Sequence, residues 1–184
     1  MMTLITGGSG SGKSAFAEGY ALSMPHYHAY YLATMEVKDG ESQKRVQRHR
    51  ENRKDGNWRT LEYPRDVAAA TSHLKESHSV LLLECMSNLV ANEMYREDGM
   101  ETAAHCTAKI SRDIRTLAAK TDHLVIVTND VFGDGCAIDQ GLREYLRALG
   151  EINQQLAKDA EEVIEVVVGI PVYWKRRMRH AENL

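Results

Sequence analysis

The segment GGSGSGKS, residues 7–14, is the feature of this sequence that most restricts its fold. It fits the pattern G-x-x-x-x-G-K-S, and it follows a short apolar run, residues 2–5, that is typical of a buried strand. A helical pattern of apolar residues begins directly after it, with Ala15 and Phe16. Backbone N–H groups at such a strand-to-helix turn converge on phosphate oxygens. The segment therefore predicts a nucleoside triphosphate site rather than an ordinary glycine-rich turn.

Each residue type in this phosphate loop has a physical role. Glycines let the backbone approach the phosphates closely, because they have no Cβ. Lys13 is expected to reach the β- and γ-phosphates, and the Ser14 hydroxyl is expected to be a ligand of Mg²⁺. The predicted phosphate-binding residues are Gly7, Gly8, Ser9, Gly10, Ser11, Gly12, Lys13 and Ser14.

Five apolar runs alternate with amphipathic stretches along the chain: 2–5, 29–33, 80–83, 124–127 and 163–168. Most are apolar on both faces, as strands of a parallel sheet covered by helices on both sides must be. Apolar residues at steps of three and four within 110–117 and 142–156 predict two helices that pack on this sheet. The sequence therefore predicts a single α/β domain, residues 1–184, with a mainly parallel sheet and helices on both faces.

The composition is that of a globular protein for which nucleic acid is not the expected partner. Of 184 residues, 43% are hydrophobic and 27% charged, and the net charge is -3. No apolar run is long enough to cross a bilayer, and the chain begins with a strand rather than a signal peptide, so we expect no membrane insertion and a cytoplasmic location. Cys85, Cys106 and Cys136 are widely spaced, which predicts reduced thiols in or near the core.

Polar residues follow the apolar runs, at the edge of the sheet where ligands of such folds bind. Glu84 ends the run VLLLE, and a carboxylate there would hold Mg²⁺ directly or through water, as the acidic residue of a second Walker motif does. The alternative is a carboxylate that caps the next helix or pairs with a neighbour. Thr128, Asn129 and Asp130 end another run, and they would either orient a substrate or shape the turn.

His49 lies in a basic segment that is predicted to be helical up to a turn at Asp55 and Gly56. The surrounding arginines favour a neutral imidazole, which is nucleophilic enough to attack phosphorus. Spacing alone nevertheless favours a solvated surface histidine, because most histidines in basic helices are of that kind. A solvated, frayed end is also expected for the basic C-terminal residues Lys175, Arg176, Arg177, Arg179 and His180.

Several segments, in order along nearly the whole chain, resemble one enzyme family. They are TGGSGSGKSAFAE, YLAT, the spacing R-V-x-x-H-x-x-x-R around His49, W-R-T-L-E, LLLEC, VTND and the late block GEINQQLAKDAEEVIEVVVGIP. Together they are similar to the bifunctional adenosylcobinamide kinase / adenosylcobinamide-phosphate guanylyltransferase family. The phosphate loop is shared by many folds, whereas the histidine segment and the late block are far more specific.

The resemblance implies a RecA-like, three-layer P-loop NTPase fold, a homotrimer, and two reactions that use ATP or GTP with Mg²⁺. In the first, adenosylcobinamide is phosphorylated with the help of Lys13. In the second, His49 attacks GTP, and the histidine-GMP intermediate passes GMP to adenosylcobinamide-phosphate, which gives adenosylcobinamide-GDP. Besides the phosphate loop, the family's nucleotide contacts would fall on Ala33, Thr34, Met35, Arg50, Glu51, Asn52, Arg53, Glu62 and Glu84, and its metal contacts on Ser14 and Glu84.

Glu62 would accept hydrogen bonds from a guanine edge. The alternative is that Glu62 is only a surface acid that follows a strand. The chain departs from the family pattern at two places: Gly10 stands where an arginine is common, and residues 133–139 replace the stretch G-x-G-I-V-P-E. Two other hypotheses therefore remain open. One is a small-molecule P-loop kinase without guanylyl transfer, in which His49 is a surface residue. The other is a regulatory protein that binds GTP without turnover.

Overall fold

The computed structural model describes residues 1–36, 58–75, 78–96, 99–131 and 139–176. The described strands are β1 Met2–Thr6, β2 His28–Ala33, β3 Arg59–Glu62, β4 Ser79–Glu84, β5 Tyr95–Arg96, β6 Gly99–Met100, β7 His123–Val127, β8 Glu162–Val167 and β9 Ile170–Lys175. The described α-helices are α1 Lys13–Leu22, α2 Met86–Met94, α3 Ala103–Ala118 and α4 Gln140–Asp159, and a 3₁₀ helix spans Val67–His73. None of the helices in these ranges is both long enough and apolar enough to cross a membrane.

Seven strands form one sheet in the order β3-β2-β4-β7-β1-β8-β9. All neighbouring pairs are parallel except β8 and β9, which form an antiparallel hairpin at one edge. Strands β5 and β6 make a separate two-stranded ribbon. Because β1 lies between β7 and β8, the loop that follows β1 emerges at the carboxyl edge with strands on both sides of it.

The sheet is covered on both faces. Helix α1 packs on one face, where Ile5, Leu82 and Val125 belong to one buried cluster. Helices α2, α3 and α4 and the 3₁₀ helix pack on the other, in a larger cluster that includes Leu83 and Ile126. Consecutive residues of a strand point to opposite faces, so a strand in the middle of the sheet must be apolar throughout. The five predicted strands are confirmed, and most of them are apolar for this reason, whereas β8 also carries Glu162 and Glu165.

Both predicted amphipathic helices are present, although the second is buried only in part. In α3, Ile110, Ile114 and Leu117 are buried, as expected. In α4, the predicted stripe is buried from Leu149 onward, whereas its first two leucines, at 142 and 146, are only partly covered. The first turns of α4 therefore extend past the main core.

Lys175 and Arg176 are exposed, as expected, but Lys175 belongs to a strand and is not part of a frayed end; Arg177, Arg179 and His180 lie outside the described residues. Strand β9 includes Lys175, and its Nζ donates to the carbonyl oxygen of Lys158, at 2.9 Å, in the last turn of α4. A cation at the carboxyl end of a helix is favourable, because unpaired carbonyl groups give that end a partial negative charge. Arg176 lies over the ring of Tyr173, with 4.2 Å between the guanidinium carbon and the ring centroid. The predicted run 163–168 likewise ends one residue early, at Val167, because Val168 belongs to the turn.

Candidate active site

The phosphate loop joins the end of β1 to the start of α1, as the sequence predicts. Its shape requires glycine at Gly7, since a Cβ there would lie 2.6 Å from the carbonyl oxygen of Val166 in β8. Gly12 is the residue that caps the start of α1, and its φ is 88°. The helix therefore begins at Lys13, with its first unpaired N–H groups directed toward the loop, an arrangement that attracts anions.

Lys13 is buried, with 8% of its surface exposed, and its Nζ donates to the carbonyl oxygen of Gly8 at 3.2 Å. The ammonium group is thus folded over the loop, where the β- and γ-phosphates of a nucleotide are expected. A neutral carbonyl is a weaker partner for an ammonium ion than a phosphate, because charge-assisted hydrogen bonds are stronger. The contact with Gly8 therefore holds the amine in place without competing strongly with an anion.

Ser14 and Glu84 are far apart in sequence and meet in the structure. The Ser14 hydroxyl donates to Glu84 Oε1, and the Tyr31 hydroxyl donates to Glu84 Oε2 at 3.1 Å. Glu84 ends β4, which lies two strands from β1 with β7 between them. A hydroxyl and a carboxylate are oxygen ligands of the kind that Mg²⁺ prefers, and Mg²⁺ sites of this type use few protein ligands beside the phosphates. This pair of residues therefore fits the predicted metal site.

The exit of β2 brings the predicted residues Ala33, Thr34 and Met35 to the same edge. Ala33 pairs in register with Glu84 on one side and with Glu62 on the other. The Thr34 side chain is fully buried, and its hydroxyl is engaged with the backbone of Cys85: it donates to the carbonyl oxygen at 2.8 Å and accepts from the N–H at 2.7 Å. Thr34 thus fixes the exit of β2 against the exit of β4.

Glu62 ends β3 and is exposed. Three strands, β2, β4 and β7, separate β3 from β1, so Glu62 lies roughly 20 Å along the edge from the strand that carries the phosphate loop. Glu62 and the phosphate loop are therefore at the same edge of the sheet without being neighbours.

The polar residues after β7 shape the turn. Thr128 is buried and donates to Asn153 Oδ1 of α4 at 3.0 Å, and Asn129 donates through Nδ2 to the Ser87 hydroxyl at 2.7 Å. The N–H of Asp130 donates to the carbonyl oxygen of Gly7 at 3.1 Å. These contacts favour the interpretation that Thr128, Asn129 and Asp130 shape the turn over the interpretation that they orient a substrate.

Two structural partners of the site were missed by sequence reasoning. Tyr31, inside a buried strand, shares the Glu84 carboxylate with Ser14, and nothing in a run of apolar and aromatic residues indicates that partner. The turn between β8 and β9 also touches the phosphate loop, because the N–H of Gly169 donates to the carbonyl oxygen of Ser11 at 2.8 Å. The glycine in VVVGIP is the only local signal for this turn.

Cys85 and Cys106 are buried free thiols, as expected. Burial raises the pKa of both thiols, to about 12 for Cys106, so neither is a nucleophile at neutral pH.

The remaining predicted positions, namely Cys136, His49, Arg50, Glu51, Asn52 and Arg53, lie outside the described residues, as do 133–138 of the divergent stretch. Its last residue, Asp139, caps α4 by accepting from the N–H of Leu142 at 2.7 Å. Gly10 has a φ of 72°, and the space around a Cβ at that position is open.

Solved structures resemble this fold at low sequence identity. The RadB recombinase superposes with a TM-score of 0.55 over 97% of this chain and 82% of that chain, at 13% identity. The flagellar accessory protein FlaH from Methanocaldococcus jannaschii gives 0.50 over 96% of this chain and 79% of that chain, also at 13% identity. With the phosphate loop and the mostly parallel sheet, these neighbours confirm the predicted RecA-like, three-layer P-loop fold.

Curated relatives match at much higher identity. The bifunctional adenosylcobalamin biosynthesis protein CobU of Escherichia coli (strain K12) is 35% identical in an alignment 188 positions long that covers 94% of this chain and 98% of that protein. CobU of Salmonella typhimurium is 34% identical over 182 residues, and CobP of Pseudomonas aeruginosa is 29% identical over 172 residues. The CobU family model, described as cobinamide kinase / cobinamide phosphate guanyltransferase, matches residues 3–174. The chain is therefore an enzyme that belongs to the cobinamide kinase / cobinamide phosphate guanyltransferase family.

Proposed function

We propose that this enzyme carries out two successive reactions of cobalamin biosynthesis. It phosphorylates adenosylcobinamide, and it then transfers GMP from GTP to adenosylcobinamide-phosphate through a histidine-GMP intermediate. Family membership supports the substrate class. The observation that carries the nucleotide chemistry is the contact between Ser14 and Glu84 beside a phosphate loop over which Lys13 is folded.

In the kinase reaction, the protein mainly positions the reactants. N–H groups of the phosphate loop and the ammonium of Lys13 would hold the β- and γ-phosphates, while Ser14 and Glu84 would hold Mg²⁺. When bound, the metal ion neutralises charge on the phosphate oxygens. The aminopropanol hydroxyl of the corrinoid attacks the γ-phosphorus and releases its proton to solvent, and the bond from that phosphorus to the bridging oxygen breaks. Nucleoside diphosphate leaves.

In the guanylyl transfer, a neutral imidazole nitrogen of His49 attacks the α-phosphorus of GTP, and pyrophosphate leaves with the bridging oxygen. The corrinoid phosphate then attacks the same phosphorus and releases His49. Arg50, Glu51, Asn52 and Arg53 would bind the nucleotide around the histidine, and Glu62 would accept hydrogen bonds from the guanine edge. We further propose, from the family resemblance, that the enzyme is a cytoplasmic homotrimer.

The guanylyl step is tested by trapping its intermediate. Purified protein is incubated with Mg²⁺ and GTP labelled at the α-phosphorus, and it is then denatured in alkali, in which a phosphoramidate survives. We expect base-stable label on the wild type and none on His49→Ala. His105→Ala is the matched control, since His105 is an exposed histidine on α3, and it should be labelled as the wild type is.

Each of the other results supports a different function for this protein. If the wild type takes no label while phosphate still moves from the γ-position to cobinamide, the protein is a kinase without guanylyl transfer. If GTP binds and neither product forms, the protein is a non-catalytic GTP-binding protein. Sedimentation equilibrium at several concentrations tests the trimer, and a mass of about 21 kDa at all of them would contradict it.

A further inference from the structure

The turn between β8 and β9 forms an apolar surface directly beside the phosphate loop. We name its four residues, Val167, Val168, Gly169 and Ile170, the hairpin tip. The hydrogen bond from Gly169 N to Ser11 O fixes the hairpin tip against the loop. The contact is close, since a Cβ on Gly12 would lie 3.4 Å from the Cα of Gly169.

Val168 is unusual in both its backbone conformation and the exposure of its side chain. Its φ is 45°, a left-handed conformation that is costly for a β-branched residue and that glycine adopts freely. Its side chain is 83% exposed, so it adds little to the packing that usually justifies such strain. Ile170 is also 63% exposed. Strained residues with no role in the core point to a role in binding.

The position of Glu84 gives the direction of a nucleotide in the loop. Ser14 and Glu84 would hold the Mg²⁺ that accompanies the terminal phosphates, so they mark the γ end, on the side of β1 that leads to β7 and β4. The nucleoside end then points to the opposite side of β1, which is the side of β8. The hairpin tip lies on that side, next to Ser11 and Gly12.

We propose that the hairpin tip is the platform for the base of the nucleotide seated in the phosphate loop, with Val168 and Ile170 against the face of the ring. This inference rests on the proposed nucleotide site. The tip consists of aliphatic residues and glycine, which suit the flat face of a purine and do not suit phosphates. Its side chains carry no hydrogen-bonding group, so the platform holds adenine and guanine alike. Glu62 lies about 20 Å along the edge, on the other side of β1, so it would not contact this base; its proposed guanine contact would be with the GTP that reacts with His49, bound apart from the nucleotide in the phosphate loop.

The test compares a ligand that has a base with one that lacks it. Dissociation constants for ATP, GTP and inorganic triphosphate, each with Mg²⁺, are measured by calorimetry for the wild type, Val168→Gly and Ile170→Thr. We expect ATP and GTP to bind about tenfold more weakly to both variants, because apolar contact with the ring is lost. Binding of inorganic triphosphate should not change. Val172→Thr, two residues further along β9, is the matched control and should bind all three ligands as the wild type does.

Val168→Gly also separates an effect on nucleotide binding from an effect on folding. Glycine relieves the left-handed backbone, so the variant should melt at the same temperature as the wild type or higher, although it binds nucleotides more weakly. Unchanged affinity for ATP and GTP in both variants overturns the inference, as does an equal loss for inorganic triphosphate. A change in sedimentation mass would show instead that a second copy covers the tip. If the wild type binds none of the three ligands, the nucleotide site itself is wrong and the inference fails with it.

Discussion

At the scale of single residues, the site depends on Glu84. Its carboxylate has one oxygen bonded to Ser14 and the other to Tyr31, so it connects the first turn of α1 to two strands of the sheet. Both of these partners, which lie in the described part of the chain, are hydroxyl groups, and a hydroxyl does not neutralise the charge of a carboxylate. An anionic oxygen beside a phosphate loop is unfavourable for phosphate alone and favourable for phosphate with Mg²⁺.

Glu84→Gln should therefore weaken the binding of Mg²⁺ more than that of the nucleotide. The amide keeps the size of the side chain and removes its charge, and we expect the Mg²⁺ concentration for half-maximal phosphoryl transfer to rise about 10- to 100-fold. Nucleotide affinity measured by calorimetry in EDTA should stay the same or improve.

Tyr31→Phe is the control for this prediction, because it removes the other hydrogen bond and leaves the charge of Glu84. Its Mg²⁺ dependence should change by less than that of Glu84→Gln. If Glu84→Gln retains the Mg²⁺ dependence of the wild type, Glu84 only anchors Ser14 and is not a metal ligand.

At the scale of elements, a cluster of charges around the buried Glu93 joins α2 and α3 to the residues before the 3₁₀ helix. Glu93 in α2 is 2% exposed and accepts from Lys109 Nζ at 2.6 Å, from the N–H of Asp66 at 2.8 Å, and from Arg96. Lys109 in α3 also contacts Asp66 at 2.9 Å and Asp113 at 2.8 Å. The hydrogen bond from Lys109 lowers the pKa of Asp66. The carboxylate of Glu93 is tolerated in the interior because donors surround it.

Lys109→Met should destabilise the protein by about 3 kcal/mol, because it leaves Glu93 buried with fewer donors. The free energy of unfolding is measured with urea. Arg147→Met, which breaks the exposed pair with Glu151, is the matched control, with an expected cost below about 0.5 kcal/mol. Adding Glu93→Gln to Lys109→Met should recover part of the loss. A cost for Lys109→Met as small as that of the control would mean that Arg96 and Asp66 suffice for Glu93.

At the scale of the whole molecule, one sheet connects the two apolar clusters. Leu82 and Leu83 are consecutive residues of β4, both are fully buried, and they pack in different clusters on opposite faces. Their strand lies inside the sheet, so a loss of packing in one cluster also affects strands that the other cluster covers.

Leu82→Ala and Leu83→Ala should each lower the free energy of unfolding by about 2–5 kcal/mol and keep a single transition. Unfolding is followed by circular dichroism and by the fluorescence of Trp58, which packs against Tyr31 on the face of α1, in a Trp174→Phe background. Tyr27→Ala, at a side chain that is 78% exposed, is the control and should cost little. Two separated transitions in either variant would show that the faces unfold independently.

The sequence determined the local features of this protein. The phosphate loop, the start of α1 and the buried strands all follow from the types and spacing of neighbouring residues, which is why they were predicted with nearly correct ends. Strand β9 was not predicted, since its exposed hydrophobic residues and Pro171 do not look like a strand until β8 is beside them. The surroundings of Glu93 were not predicted either, because its partners come from different elements.

The tertiary structure decided how the predicted site residues are arranged. It placed β7 between β1 and β4, which brings Glu84 to Ser14 and leaves Glu62 distant from the phosphate loop. It also set the hairpin tip against Ser11. Strand order depends on which apolar surfaces pack best once all the strands and helices are present, and this competition is between segments far apart in sequence. Local patterns carry no information about its outcome, so the sequence gives the parts of the site and the packing of the sheet gives their arrangement.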